Sequence, residues 1–223
     1  MIPIMILEKI QNEISYDLFE NIDNEHYFHG HKGALFLDRD GVIIKDVNYI
    51  SSPDDVRLEK GLLNLLSKAY KFGWPVIIVT NQSGISRGFY SWNDFFNVNK
   101  RMIELIGKPN PIFSIYANSH IKVDKSNWRK PNPFMIKKAA EKFNIDIKKS
   151  ILVGDRITDL IAGSRSGILN LIHVETGHGK KEREKILETV DKDKFICDSL
   201  VKSKIIFLKN LEYFPEFLLK EKK

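Results

Sequence analysis

Two aspartates separated by one residue stand in Leu37-Asp38-Arg39-Asp40-Gly41-Val42. Carboxylates brought into one pocket repel each other unless a cation joins them. Magnesium suits that place, because it takes oxygen ligands and keeps water and substrate phosphate in its shell. One carboxylate beside such a cation can attack phosphorus and form an aspartyl-phosphate. The other can protonate the leaving oxygen and afterwards activate water. Gly41 lets the chain turn away sharply. A surface turn or part of a calcium loop uses the same residue types, so Asp-x-Asp-Gly is ambiguous by itself.

Three other polar clusters offer matching chemistry. Val79-Thr80-Asn81-Gln82-Ser83-Gly84 carries a hydroxyl and backbone N–H groups that can bind phosphoryl oxygens, or that simply form a turn. In Arg129-Lys130-Pro131 the lysine can neutralise a transferring phosphoryl group, although an Arg-Lys pair is also ordinary solvated surface. Gly154-Asp155-Arg156-Ile157-Thr158-Asp159 can supply the remaining protein ligand for magnesium through Asp155. Asp159 can cap the following helix or hold the metal ligands from behind.

Three of the clusters directly follow a short apolar run, and Arg129-Lys130-Pro131 stands before the helix from Pro133. The runs Ala34–Leu37, Pro75–Val79, Ile112–Tyr116, Ser150–Val153 and Leu169–Ile172 read as strands. Helical spacing predicts helices over Leu58–Phe72, Phe95–Ile106, Pro133–Phe143 and Thr158–Arg165. Gly73 closes the first of these, and Ser91-Trp-Asn-Asp94 forms a capping box ahead of the second. Strands alternating with helices predict an α/β fold whose mainly parallel sheet is covered on both faces. In such sheets ligands sit beyond the carboxyl ends of the strands, where these polar clusters lie.

The four clusters, in this order, resemble the four-motif signature of the haloacid dehalogenase-like superfamily. Phe36–Val42, Thr80–Gly88 and Arg129–Pro133, with Val47–Ile50 and Asp198–Leu200, look like its branch of heptose bisphosphate phosphatases and histidinol-phosphatase domains. The likeness spans roughly residues 33–200. It implies a three-layer, Rossmann-like fold with a minimal cap, and an Mg2+-dependent phosphomonoester hydrolase acting through an aspartyl-phosphate. By this resemblance Asp38 is the nucleophile and Asp40 the general acid/base, while Thr80 and Lys130 hold the phosphoryl group. Asp38, the backbone carbonyl of Asp40 and Asp155 bind the metal, with Asp159 behind them. Asn81, Gln82, Ser83, Arg87 and Arg129 are the candidates for substrate contact. The implied substrate is a small sugar phosphate, foremost D-glycero-D-manno-heptose 1,7-bisphosphate, in a bacterial envelope or lipopolysaccharide pathway.

One departure stands out. Many members of this branch carry a zinc loop of cysteines and a histidine before the Arg-Lys-Pro segment. Here residues 118–128 read Asn-Ser-His-Ile-Lys-Val-Asp-Lys-Ser-Asn-Trp. His120 and Asp124 remain as possible ligands, but no structural zinc is expected. The loop is expected to be packed by Trp128 or stabilised by a neighbour, and His120 is read as a surface or loop residue.

Composition narrows the alternatives. The 223 residues are 43% hydrophobic, enough for a sizeable core, and contain a single cysteine, Cys197, which reads as core. The N-terminal MIPIMILEKIQNE lacks a signal-peptide pattern, and no apolar run is long enough to span a membrane, so a cytoplasmic chain is expected. A net charge of +6 suits a phosphorylated partner. The sequence has no nucleotide-binding glycine loop and no aromatic-basic stripe, which argues against a nucleic-acid partner. Histidinol phosphate and a nucleic-acid 3′-phosphate are alternative substrates. A non-catalytic binding module is the alternative from another class, and retention of Asp38, Asp40, Lys130 and Asp155 argues against it. A monomer is the working expectation. Residues 1–32, with His26, His29 and His31, read as a mobile or lightly packed extension to a phosphatase domain over 33–223, and His178 as a loop residue.

Overall fold

The computed structural model describes residues 18–22, 33–124, 127–191 and 203–220. In chain order the strands are β1 (Leu18–Ile22), β2 (Leu35–Leu37), β3 (Val76–Asn81), β4 (Ile112–Asn118), β5 (Ile151–Gly154), β6 (Asn170–Val174) and β7 (Lys204–Leu208). The helices are α1 (Leu62–Lys71), α2 (Ser83–Ser86), α3 (Trp92–Ile106), α4 (Phe134–Lys142), α5 (Ile157–Ser166) and α6 (Gly179–Asp191). The sheet order is β1-β4-β3-β2-β5-β6-β7. Strands β2 to β7 run parallel, and β1 lies antiparallel on the outer edge of β4.

Alternation along each strand divides the core into two layers. Leu35, Leu37, Ile78 and Val153 face one side, where they meet Leu62, Leu65 and Leu66 of α1 and Phe95, Val98 and Met102 of α3. Phe36, Ile77, Val79 and Leu152 face the other, against Met135, Ile136 and Ala139 of α4 and Leu160 of α5. Burial of such side chains stabilises by about 1.5–3 kcal/mol each. The strands that carry the polar clusters are therefore clamped on both faces, and their carboxyl ends are held in register.

Several elements differ from expectation. The helix predicted from Leu58 starts at Leu62, because Leu58 bridges to Ile44 and Gly61 turns the chain with φ +87°. A Cβ on Gly61 would lie 2.3 Å from the backbone nitrogen of Glu212. Strands β3 and β4 run on to Asn81 and Asn118, whose backbones continue the ladder. The Ser91–Asp94 capping box forms as expected, with Trp92 as its first helical residue. Strand β1 belongs to the predicted extension, yet it closes the sheet edge from Leu18 opposite Asn118 to Ile22 opposite Ser114. Nothing in the strand and helix patterns had predicted β7 or α6. His26, His29, His31 and Cys197 lie outside the described residues.

The segments above the sheet are loops. Residues 38–61 fold back through the Asp40–Ile44 and Ile44–Leu58 bridges, and residues 119–133 connect β4 to α4. No separate lid domain appears among the described residues. No helix among them is long and apolar enough to cross a membrane.

Candidate active site

Asp38 leaves β2, Thr80 lies near the end of β3, Asp155 leaves β5, and Lys130 reaches in from the loop after β4. Lys130 Nζ donates to Asp38 Oδ1 at 2.8 Å and to the Val79 carbonyl at 2.8 Å, and pairs with Asp159 Oδ1 at 2.7 Å. Its three protons are thereby committed. The two carboxylates outweigh the effect of burial and hold the Lys130 ammonium above its usual range. Burial raises Asp38 to about 7 against the pull of Lys130, and Asp159 and Asp40 add to the rise. Burial also raises Asp155 to about 9, helped by the charges of Asp38 and Asp159.

Oxygens of Asp38, Asp155 and Asp159 lie within 4.8 Å of one another. Asp155 is gripped by its surroundings, yet one oxygen is left over. Its Oδ2 accepts from the His178 backbone N–H at 2.7 Å, whereas Oδ1 is buried with no hydrogen-bond partner. A buried, unpaired carboxylate oxygen beside a second carboxylate is costly unless a cation joins them. The donor set is all oxygen, which fits Mg2+. Asp159 has both oxygens engaged, by Lys130 and by the Arg156 backbone N–H at 3.0 Å, which leaves Asp38 and Asp155 as the better donors.

Three further features hold Asp155, and the sequence reading missed them. His173 is fully buried, and burial together with Arg183 lowers it to about 4, so its ring is neutral near pH 7. Arg183 Nε donates to His173 Nδ1, which leaves Nε2–H to donate to the Asp155 carbonyl at 2.9 Å. Gly41 (φ +82°) and Gly177 (φ +56°) meet beside Asp155, where a Cβ on either would lie 2.6 or 2.3 Å from Asp155 Oδ2. His178, read as a loop residue, precedes α6 and pairs through Nε2 with Asp46 at 2.8 Å. The Thr-Gly-His-Gly run was visible in sequence; its partners are 23 to 135 residues away.

The candidates for substrate contact divide. Gln82 is buried, and it joins Asp40 to Thr80. Asn81 ties down the loop of Lys130: its Oδ1 accepts from the Lys130 N–H at 3.0 Å and its Nδ2 donates to the Lys130 carbonyl at 3.2 Å. Ser83 is half-buried at the start of α2. Arg87 is exposed, whereas Arg129 is half-buried with Nη1 on the His120 carbonyl at 2.9 Å. Burial, and then the nearby charges of Arg156 and Arg87, lower the Arg129 guanidinium. The charges of Arg87 and Arg156 therefore act on Arg129, and Arg156 had not been singled out in sequence.

Comparison with known proteins follows this geometry. A family model described as HAD-hydrolase-like matches residues 127–203. The D-glycero-alpha-D-manno-heptose-1,7-bisphosphate 7-phosphatase of Photorhabdus laumondii is 40% identical over 157 residues, covering 67% of this chain and 86% of that protein. The chain belongs to the haloacid dehalogenase-like phosphatases. The D-glycero-beta-D-manno-heptose-1,7-bisphosphate 7-phosphatase of Mesorhizobium japonicum is 37% identical to this phosphatase over 149 residues, covering 63% of this chain and 69% of that protein. Among solved structures, D,D-heptose 1,7-bisphosphate phosphatase from B. bronchiseptica, complexed with magnesium and phosphate, superposes with a TM-score of 0.71 at 25% identity. The match covers 84% of this chain and 98% of the other.

In this phosphatase the loop before Lys130 is held together by asparagines. Asn127 Nδ2 donates to the Lys122 carbonyl at 2.8 Å, and its Oδ1 accepts from the Arg129 N–H at 3.1 Å. Asn132 Nδ2 donates to the carbonyls of Asp124 and Asn127. Trp128 is half-buried, edge-on to Phe134. His120 is a half-buried loop residue whose carbonyl anchors Arg129. The lysine loop is thus held by amide hydrogen bonds.

Proposed function

We propose that this phosphatase removes the 7-phosphate of D-glycero-D-manno-heptose 1,7-bisphosphate by way of a phosphoryl-Asp38 intermediate. The observation that carries the reading is Asp38 held by Lys130 beside the unpaired Asp155 oxygen. Lys130 engages Asp38 through Oδ1, which leaves Oδ2 as the attacking atom. That oxygen bonds to phosphorus as the bond from phosphorus to the sugar oxygen breaks, and Asp40 gives the leaving oxygen its proton. The Asp40 carboxylate then takes a proton from the water that attacks the aspartyl-phosphate, releasing phosphate and restoring Asp38. Lys130 has no spare donor, so it acts on the phosphoryl group through its charge while orienting Asp38. Thr80 donates its hydroxyl proton to a phosphoryl oxygen.

Mg2+ would be held by Asp38, the Asp40 carbonyl and Asp155, with Asp159 behind, and when bound it offsets the negative charge of the phosphoryl group. Arg129, Arg87 and Arg156 support a substrate with a second anionic group, because a guanidinium fork grips phosphate at two points. The relatives include enzymes named for each anomer, so both anomers belong in the test. Phosphate release is to be measured with magnesium on both heptose bisphosphates, histidinol phosphate, other sugar phosphates and a 3′-phosphorylated oligonucleotide. Preference for a heptose bisphosphate, lost on chelation, is the expected result. Preference for another member would reassign the substrate and keep the chemistry.

A further inference from the structure

Behind Asp40 lies a set of buried polar side chains that phosphoryl transfer itself does not use. Arg39, Gln82 and Tyr90 are only 1%, 2% and 8% exposed. Polar groups so far from water keep their places when their hydrogen bonds are made. Gln82 Nε2 donates to Asp40 Oδ2 and to Thr80 Oγ1, each at 2.8 Å. Gln82 Oε1 accepts from the Tyr90 hydroxyl at 2.5 Å and from Arg39 Nη2 at 3.1 Å. Only one orientation of the amide satisfies these neighbours. Arg39 can only donate, so the amide oxygen must face it, and the amide nitrogen is left to donate to Asp40 Oδ2. Tyr90, meeting an oxygen that only accepts, must donate. Burial raises the Tyr90 phenol, so it stays protonated through the neutral range.

We propose that Tyr90 and Gln82 are positioning residues for the acid/base step, with the Tyr90 hydroxyl fixing the Gln82 amide and the amide fixing Asp40 and Thr80 together. The inference rests on the acid/base role given to Asp40. Its consequence is an assignment of atoms. Asp40 Oδ2 accepts from both Gln82 and Arg39, whereas Oδ1 accepts from Arg39 alone, so the transferred proton sits on Oδ1. When the bond between phosphorus and the leaving oxygen breaks, Oδ1 gives up that proton to the oxygen, and it later recovers one from the attacking water. Thr80 accepts from Gln82, which leaves its own proton to donate to the phosphoryl group. Arg39 restrains the same carboxylate, lying 3.0 to 3.3 Å from both oxygens and 4.8 Å above the Phe95 ring centroid. One side chain thus couples the proton donor for the leaving oxygen to a binder of the phosphoryl oxygens, 40 residues apart in the chain.

The readout is dependence on the leaving group. Proton donation matters little for p-nitrophenyl phosphate, whose leaving oxygen is weakly basic, and matters greatly for an alkyl phosphate. Initial rates are to be compared on p-nitrophenyl phosphate, phenyl phosphate, glycerol 2-phosphate and heptose 1,7-bisphosphate. Tyr90→Phe, which removes one oxygen and keeps the ring, is expected to slow the two alkyl phosphates by about tenfold and p-nitrophenyl phosphate by less than about twofold. Gln82→Met should move the same way and further, and Asp40→Asn furthest of all. If Gln82→Met fails to fold, Tyr90→Phe decides. Equal loss across the series, or none, in Tyr90→Phe beside a steep Asp40→Asn profile would overturn this inference alone. A flat Asp40→Asn profile would remove the role of Asp40, and this inference with it.

Discussion

The floor and the mouth of the pocket are built on opposite principles. On the floor Lys130 has three acceptors, Gln82 four partners, and Asp159 a donor on each oxygen. At the mouth Arg87 is exposed, Phe89 is 59% exposed, and Tyr49 leans edge-on against Phe89 at 4.7 Å. Apart from the unpaired Asp155 Oδ1, the side chains of the floor are held by these hydrogen bonds, and chemistry on one phosphorus atom requires such fixed reacting groups. A mouth of arginines and exposed rings can change its residues without disturbing that floor. In the proposed reaction the floor carries the chemistry, and the mouth selects the substrate.

The sharpest way to break this contrast is to remove the nucleophile. Asp38→Asn should lower turnover by about 10⁴-fold or more, measured on any substrate in the panel, because an amide does not attack phosphorus. Normal turnover by the folded variant would end the proposal.

Lys130→Met should follow, lowering turnover by about 10²–10³-fold. It also leaves Asp38 and Asp159 buried without their cation, a change that costs about 3–5 kcal/mol for a broken buried pair. Denaturant unfolding measures that loss, and an unchanged midpoint would show that the lysine carries no structural load. Arginines at the mouth should show no comparable cost.

Chelation and pH test the floor in another way. Asp38 and Asp155 lie above their ordinary value of 3.8, at about 7 and about 9. The folded chain without metal therefore binds more protons than the unfolded chain across that range. Their contribution to stability is full below about pH 4 and is lost as pH rises through about 7 and about 9. In EDTA the part of the melting temperature that these groups control should fall from pH 5.5 to 8.5, and the gain from Mg2+ should grow over the same interval. Asp155→Asn should flatten both trends. A magnesium effect independent of pH would argue against metal binding at these carboxylates.

The smallest effect is expected at the mouth. Arg129→Ala should raise KM for a bisphosphate by about tenfold more than KM for the matching monophosphate, since a hydrogen bond to a charged group contributes about 1.5–3 kcal/mol. Equal changes for the two substrates would move the second anion away from the arginine cluster.

Much of the floor was legible because its chemistry is local. Asp38, Thr80 and Asp155 each stand at or just after the end of an apolar strand, and a parallel sheet brings such ends to one edge, whereas Lys130 reaches in from the loop after β4. The two core layers could likewise be read from alternation and helical spacing. The length and placement of some elements could not. The start of α1 depends on Gly61 passing close to Glu212, and β1 depends on the open edge of β4, so each is decided by a partner far along the chain.

The same division separates the residue types of the site from their tasks. Residue type and order, together with their resemblance to the haloacid dehalogenase-like signature, pointed to a phosphoryl-transfer enzyme with paired carboxylates, a lysine and an oxygen-ligand metal site. Only the tertiary structure showed Gln82 as the link between Asp40 and Thr80, and Asn81 as the anchor of the Lys130 loop. It alone put His173, His178, Gly41 and Gly177 around Asp155, and Arg156 near Arg129. The physical reason is that a side chain's chemistry belongs to its own residue, whereas burial and hydrogen-bond partners belong to whatever the fold packs against it.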